Sequence, residues 1–293
     1  MSINVYEVIN NRIMELLEQG TVPWRKPWNA ESNMPKNLIN KKHYRGINVF
    51  LLACMPYSSS YWMTFKQVQD KGGHVKKGEK STPVIFWKWL DRNDAEDNDA
   101  TTGKIPLLRY YSVFNLEQCE GITAPKPLET VNEFGSIGKA EEIIANMPLL
   151  PEIKYGGNRA YYSPALDYVQ LPSQNSFDSA EEYYSTAFHE LTHATGHAKR
   201  VGRKSILEPS YFGSHEYSKE ELVAEMGAAF LCGYCGIEQK TIKNSAAYIQ
   251  GWLKELKNDR TLLIHAAAQA QKSADYIIRQ GGDTNVVIDH EAA

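Results

Sequence analysis

The sequence predicts a mixed α+β chain, with a small α+β N-terminal half followed by a mainly helical C-terminal half. Three observations carry this. Apolar residues recur at helical spacing at both ends: Val5, Ile9, Ile13, Leu16 and Leu17 form a stripe over residues 4–19, and one long amphipathic helix or more is expected over 245–280. Alternating β-branched and aromatic residues concentrate in 82-TPVIFWKWL-90 and 107-LLRYYSVFNL-116, which suit a hairpin. Between the halves, 121-GITAPKPLETVNEF-134 holds two prolines and little apolar pattern. The expected division is therefore a first domain over 1–125, a linker over 126–134 and a second domain over 135–293.

Within the first half, Gly20 ends the opening helix and 23-PWRKPW-28 follows as an extended segment. Further helices are expected over Asn48–Cys54 and Thr64–Lys71, the latter stopped by Gly72-Gly73. The acidic run 91-DRNDAEDND-99 lacks the glycine and terminal glutamate of an EF-hand and reads as a hairpin tip. In the second half a helix is expected over 137–146, short strands in 152-EIKYG and 159-RAYYSPALDYVQLP, and helices over 179–196 and from about Ser218. Residues from Gly281 onward are expected to fray.

The bulk numbers are those of a water-soluble chain. Of 293 residues, 42% are hydrophobic and 23% charged. No apolar run approaches the roughly 20 residues a membrane helix needs, so no membrane partner is expected. The N-terminus lacks a secretory pattern. Four cysteines do not make a disulfide framework, and Cys232-Gly-Tyr-Cys235 reads as small packing residues late in a helix. A cytoplasmic location is the expectation.

The second half contains 183-YYSTAFHELTHATGH-197. His189 and His193 are four apart, so a helix sets both imidazoles on one face, where they can grip one zinc ion. Glu190 lies beside them, able to take a proton from water at that ion, which is the arrangement of a zincin-type metallopeptidase. Ser179, with Glu182 three residues on, predicts a capping box at the helix start, and Gly196 a stop. Two imidazoles and a carboxylate are costly to bury without a metal.

A third ligand is needed. His197 lies near the predicted helix end, and Lys199 stands where a metzincin would have its third histidine. The better source is 218-SKEELVAEMGAAFL-231, where Glu221 and Glu225 share a face and small residues at 224, 227, 228 and 229 would let two helices approach. Glu221 is read as the ligand with Glu225 behind it. If Ser218 and Glu221 instead form a capping box, the ligand becomes Glu225. Tyr211, His215 and Tyr217 are candidate oxyanion partners. Zinc is the expected cofactor, with manganese the alternative.

The net charge of −3 conceals an asymmetry. Residues 1–125 carry 16 Lys/Arg against 13 Asp/Glu, the remainder 16 against 22, and residues 36–88 ten basic against two acidic side chains. Such an excess attracts polyanions. Single-stranded nucleic acid is held by basic grooves with flat side chains that stack bases. Here Trp24, Trp28, Tyr44, Tyr61, Trp62, Phe65, Trp87 and Trp89 interleave with Lys26, Lys36, Lys41, Lys42, Arg45 and Lys66, and the glycine-flanked loop 72-GGHVKKGEK-80 adds Lys76, Lys77 and Lys80. Single-stranded nucleic acid is the partner these residues predict.

The whole chain resembles the ArdC antirestriction proteins of conjugative plasmids. The likeness runs through YEVINNRIMELLEQGTVPWRKPW, NKKHYRGIN, SYWMTFKQVQDKGGHVKKGEK and YYSVFNLEQ in the first half. In the second it runs through AYYSPALDYVQLP, FHELTHATGH and EELVAEMGAAFL. The resemblance implies an N-terminal single-stranded-DNA-binding domain, and a C-terminal zincin-like metallopeptidase domain related to proteases of DNA–protein crosslinks. It also implies protection of incoming plasmid DNA from host restriction, with a protein substrate or a host restriction enzyme as second partner. By position, His189, Glu190 and His193 match the family's HExxH, and Glu221 and Glu225 its EELVAE.

Overall fold

A computed structural model describes residues 4–25, 34–91, 104–123, 125, 133–208, 215–237 and 246–279. The first half begins with helix α1 (Val5–Glu18), capped by Asn4, whose side chain accepts from the Tyr6 N–H at 3.1 Å. Its stripe of Ile9, Ile13, Leu16 and Leu17 is buried. A 3-10 turn at Pro23–Arg25 follows. Strand β1 (Lys36–Asn37), helix α2 (Ile47–Ala53), strand β2 (Tyr61–Thr64) and helix α3 (Phe65–Asp70) come next. Thr64 and Gln67 close a capping box around the start of α3. Strand β3 (His74–Val75) precedes the long hairpin of β4 (Thr82–Asp91) and β5 (Lys104–Asn115), paired from Thr82↔Val113 to Asp91↔Lys104. Strand β6 (Cys119–Glu120) returns to pair with β3. The main sheet has the order β1-β2-β5-β4, antiparallel except for β1 with β2.

The second half opens with α4 (Glu133–Ala145), so the helix starts inside the segment expected as linker, of which 126–132 lies outside the described residues. Strands β7 (Glu152–Tyr155), β8 (Tyr161–Ser163) and β9 (Tyr168–Leu171) form a sheet of order β7-β9-β8. Then come α5 (Ala180–Thr195), the short α6 (Lys204–Leu207), α7 (His215–Cys235), α8 (Ala246–Asn258) and α9 (Leu262–Ile277). One helix or more was expected over 245–280; there are two. Asp259 breaks them, its carboxylate accepting from the Thr261 N–H at 2.9 Å and hydroxyl at 2.7 Å.

Helix α7 is the spine of the second half, packed against α4, α5, α6 and α9. It is buried nearly all round from Leu222 to Cys235, which explains the small and apolar residues of that stretch, interrupted by Glu225. Gly227 is where α5 crosses it: a Cβ there would meet the Thr192 side chain at 2.5 Å. Cys232 and Cys235 are buried, unbridged packing residues. One continuous apolar core joins the halves, with Phe50 of α2 stacked on Phe230 of α7 at 4.9 Å between ring centroids. Among the described residues no helix is long and apolar enough to cross a membrane. The hairpin tip after Asp91 and the C-terminal residues beyond 279 lie outside the described residues.

Candidate metal centre

Helix α5 starts as expected, with the Ser179 side chain accepting from the Glu182 N–H at 3.3 Å. The reciprocal bond reaches one residue further back, because the Glu182 carboxylate accepts from the Asp178 N–H at 3.1 Å. Two turns on, His189 and His193 turn their rings toward each other, Nε2 to Nε2 at 3.1 Å. Glu221 of α7 faces both, at 3.6 Å from His189 Nε2 and 3.7 Å from His193 Nε2. These three residues form the one His/Cys/Asp/Glu cluster among the described residues with donors close enough to share a metal ion. Bonds of about 2.0–2.1 Å to a tetrahedral ion separate its donors by about 3.3 Å, so the observed spacings fit. Two imidazoles and one carboxylate suit zinc or manganese.

The electrostatics fit as well. Burial works against a charged His189 imidazole, but the carboxylates of Glu221, Glu190 and Glu225 outweigh it and raise the ring's affinity for a proton. Burial pushes Glu221 up, yet both histidines and the Tyr217 hydroxyl bring it below the ordinary carboxylate range. A positive charge is therefore favoured among these groups. Glu190 is buried and lines the same cleft, a hollow of about 810 Å³. Its walls include Ala160–Tyr162, Pro164 and Ala165 on one side and Ser205–Glu208 of α6 and its C-terminal flank on another.

Several expectations are corrected. Ser218 does not cap a helix, because α7 already runs from His215, so Glu221 is not drawn into a capping box. Glu225 stands outside the donor cluster. Its carboxylate accepts from the Trp24 indole at 2.8 Å, from Arg25 at 3.2 Å and from the Tyr248 hydroxyl. His215 is no oxyanion partner: its ring nitrogens face Glu255 at 2.9 Å and Asp259 at 3.4 Å. His197 lines the cleft but stands outside the donor cluster. The stop expected at Gly196 is found, since Gly196 is the C-cap of α5, with a right-handed φ of −69°. Glycine is needed there for closeness, since a Cβ would lie 2.4 Å from Ile206. Tyr217 lines the cleft beside Glu221, its phenol pushed up to about 12 by burial and by that carboxylate. Tyr211 lies outside the described residues.

The residues read as DNA contacts divide sharply. Trp24 is 1% exposed, edge-on to Trp252 at 5.7 Å, and Trp62 is 1% exposed against Tyr57. Tyr44 is buried too. These three are core rather than stacking platforms; over Trp24 it is α1, α2, α7 and α8 that close on a position that looked open in the sequence. Trp87 is half-buried against the core. Arg45 is paired with Asp275 of α9. Lys41, Lys42, Lys66, Lys76, Lys77 and Lys80 are all exposed, and Phe65 is a 51% exposed ring. Lys36 and Lys41 lie over the Tyr61 ring at 5.0 and 4.9 Å. Lys26 and Trp28 lie outside the described residues, as does the Trp89 side chain.

Sequence reasoning missed the groups behind His193. Glu220, 5% exposed, places Oε1 3.1 Å from His193 Nδ1, and its Oε2 accepts from Arg203 Nε at 3.0 Å. Burial pushes the Glu220 carboxyl up, but His193 and Arg203 outweigh it and bring it down to about 2. No motif announces this pair, since Arg203 lies 17 positions earlier in a loop.

Two packed helices that present two histidines and a glutamate into a cleft, with a second glutamate beside them, define the class: a zincin-like metallopeptidase domain. The profile of such a family, MPTase-PolyVal, matches residues 138–269, and that of the N-terminal domain of anti-restriction factor ArdC matches residues 3–114. The chain belongs to the ArdC antirestriction family. The metal-free crystal structure of the ArdC protein from plasmid R388 matches at 36% identity, covering 94% of this chain and 97% of that one, with a TM-score of 0.74. Its Mn(II)-bound structure matches at 34% identity over 96% and 99%, again with a TM-score of 0.74. The uncharacterised protein y4eC of Sinorhizobium fredii is 32% identical over 96% of this chain and 93% of its own length. Escherichia coli DNA primase TraC is 36% identical over 93% of this chain, which spans 20% of that protein's length; a second TraC is 35% identical, with 27% of its length spanned.

Proposed function

We propose that the chain is a metal-dependent peptidase joined to a single-stranded-DNA-binding half, serving antirestriction of plasmid DNA in the cytoplasm. The observation that carries the reading is the convergence of His189, His193 and Glu221 on one point beside Glu190 in one cleft. A zinc or manganese ion held by those three residues would supply Lewis-acid charge to water and to an amide carbonyl. Glu190 takes the proton of the attacking water and returns it to the leaving amine. Tyr217 keeps its hydroxyl protonated through the working pH range, and with Glu221 turned to an ion its O–H would pass from that carboxylate to the developing oxyanion. The exposed lysines track phosphates, and Phe65 with Tyr61 offers bases a flat surface. Residues 1–125 and 135–293 are the two functional units of this reading.

The test incubates the full chain with single-stranded DNA, Mn²⁺ or Zn²⁺ and a panel of DNA-binding proteins, in parallel with Glu190→Gln. Fragments are expected from the wild type, with a loss of roughly 10²–10⁴-fold in the variant at unchanged metal content. Equal behaviour of the two would replace the peptidase by a DNA-coating protein with a structural ion.

A further inference from the structure

We propose that the buried Arg203–Glu220 pair is the positioning unit of the metal centre, fixing His193 at both ring and backbone and tying α5 to α7. The inference rests on the metal-centre reading above. Glu220 and Glu221 are neighbours on α7, pointing about 100° apart around the helix. A carboxylate is only an acceptor, so Glu220 makes His193 Nδ1 the donor across their 3.1 Å contact. The lone pair of that ring then sits on Nε2, the atom facing His189 and Glu221.

Arg203 secures the other end. Its Nη2 donates to the carbonyl of His193 at 3.3 Å and of Thr192 at 2.8 Å, satisfying carbonyls near the C-terminal end of α5. Its Nη1 donates to Ser273 Oγ of α9 at 2.8 Å and to Thr195 Oγ1, and its Nε to Glu220 Oε2 at 3.0 Å. Ser205 adds its hydroxyl to Glu220. One guanidinium therefore reaches α5, α7 and α9 from a position 5% exposed. Gly196 permits it, because a Cβ there would lie 3.1 Å from Arg203 Nη2. A buried ion pair contributes little net stability compared with apolar packing, which leaves the placing of His193 as its role. The acid that steadies a ligand histidine is thus the residue just before Glu221, not the one four residues after it.

The test is calorimetric titration of Mn²⁺ and of Zn²⁺ into the full chain, at a temperature where circular dichroism shows each variant folded. Glu220→Ala should weaken binding roughly 10–100-fold, with Glu220→Asp and Arg203→Lys shifted less in the same direction. Asp167→Asn is the control. It removes the Arg200–Asp167 ion pair near the cleft, and should lower the unfolding midpoint while leaving metal affinity unchanged. If Glu220→Ala does not fold, Arg203→Lys and Glu220→Asp decide. Wild-type affinity in every folded Glu220 and Arg203 variant overturns the positioning role alone. A wild type that binds neither ion overturns the metal centre, and the positioning role with it.

Discussion

The cleft between α5 and α7 and the basic face of the first half use charge in opposite ways. In the cleft the charged groups around the donor cluster have defined neighbours: His189 and His193 face Glu221, and Glu220 is bound between His193 and Arg203. On the basic face Lys41, Lys42, Lys66, Lys76, Lys77 and Lys80 all stand exposed on loops and the short α3. A metal needs donors fixed to tenths of an ångström, whereas a flexible polyanion needs only a summed field. The first region therefore depends on burial, and the second on staying out of it.

Trp24, read from the sequence as part of the basic face but packed against α7 and α8, gives the largest expected effect. Its indole fills the core against Trp252 and donates to Glu225, one turn of α7 beyond Glu221. Trp24→Ala should cost about 3–5 kcal/mol of stability, read from the urea unfolding midpoint, because it opens a cavity and strips a donor from a part-buried carboxylate. Per folded molecule, DNA affinity should hold. A variant of normal stability with lost DNA binding would return Trp24 to the surface and dissolve the comparison.

The contrast also explains what the amino-acid sequence alone made legible. His189, Glu190 and His193 were legible because helical periodicity alone puts i and i+4 on one face. The small residues of α7 foretold its contact with α5, made at Gly227 and Thr192. Glu221 was legible as one of two, but choosing between it and Glu225 needed the helix start and the partners of Glu225, and both are tertiary facts. Glu220 was invisible because its meaning comes from Arg203, in a loop with no periodicity. The fates of Trp24, Trp62 and Tyr44 were illegible for a related reason. An aromatic beside lysines reads the same whether or not a later helix covers it, and α8 arrives more than 200 residues after Trp24. Phe65, on the first turn of α3, escapes that cover.

The pH dependence of stability sharpens the cleft side of the comparison. Folding lowers the Glu220 carboxyl from 4.5 to about 2, so its contribution is complete above about 4.5 and is lost as pH falls toward 2. Glu220→Gln should cost about 1.5–3 kcal/mol at pH 7, the scale of hydrogen bonds to charged groups. Urea midpoints of wild type and variant should converge between about pH 4.5 and 2. A gap that stays constant to pH 2.5 would mean that Glu220 is not the charged partner of Arg203 and His193.

The smallest effects belong to the basic face, where no single group dominates. Phe65→Ala removes an exposed ring, 51% accessible and 6.3 Å from Phe114, so folding stability should change little. Affinity for an oligothymidylate should fall by about 1–3 kcal/mol if a base stacks there. Lys41→Ala should weaken binding several-fold at low salt and reduce the slope of log affinity against log salt by about 0.7, the contribution of one phosphate contact to a single strand. Duplex DNA of equal length should feel the lysine change and not the phenylalanine change, since stacked bases have no face to offer. Filter binding of both variants to both substrates across a salt series separates a stacking surface from a purely electrostatic one. Equal losses on duplex and single strand for Phe65→Ala would leave the first half with charge alone as its means of recognition.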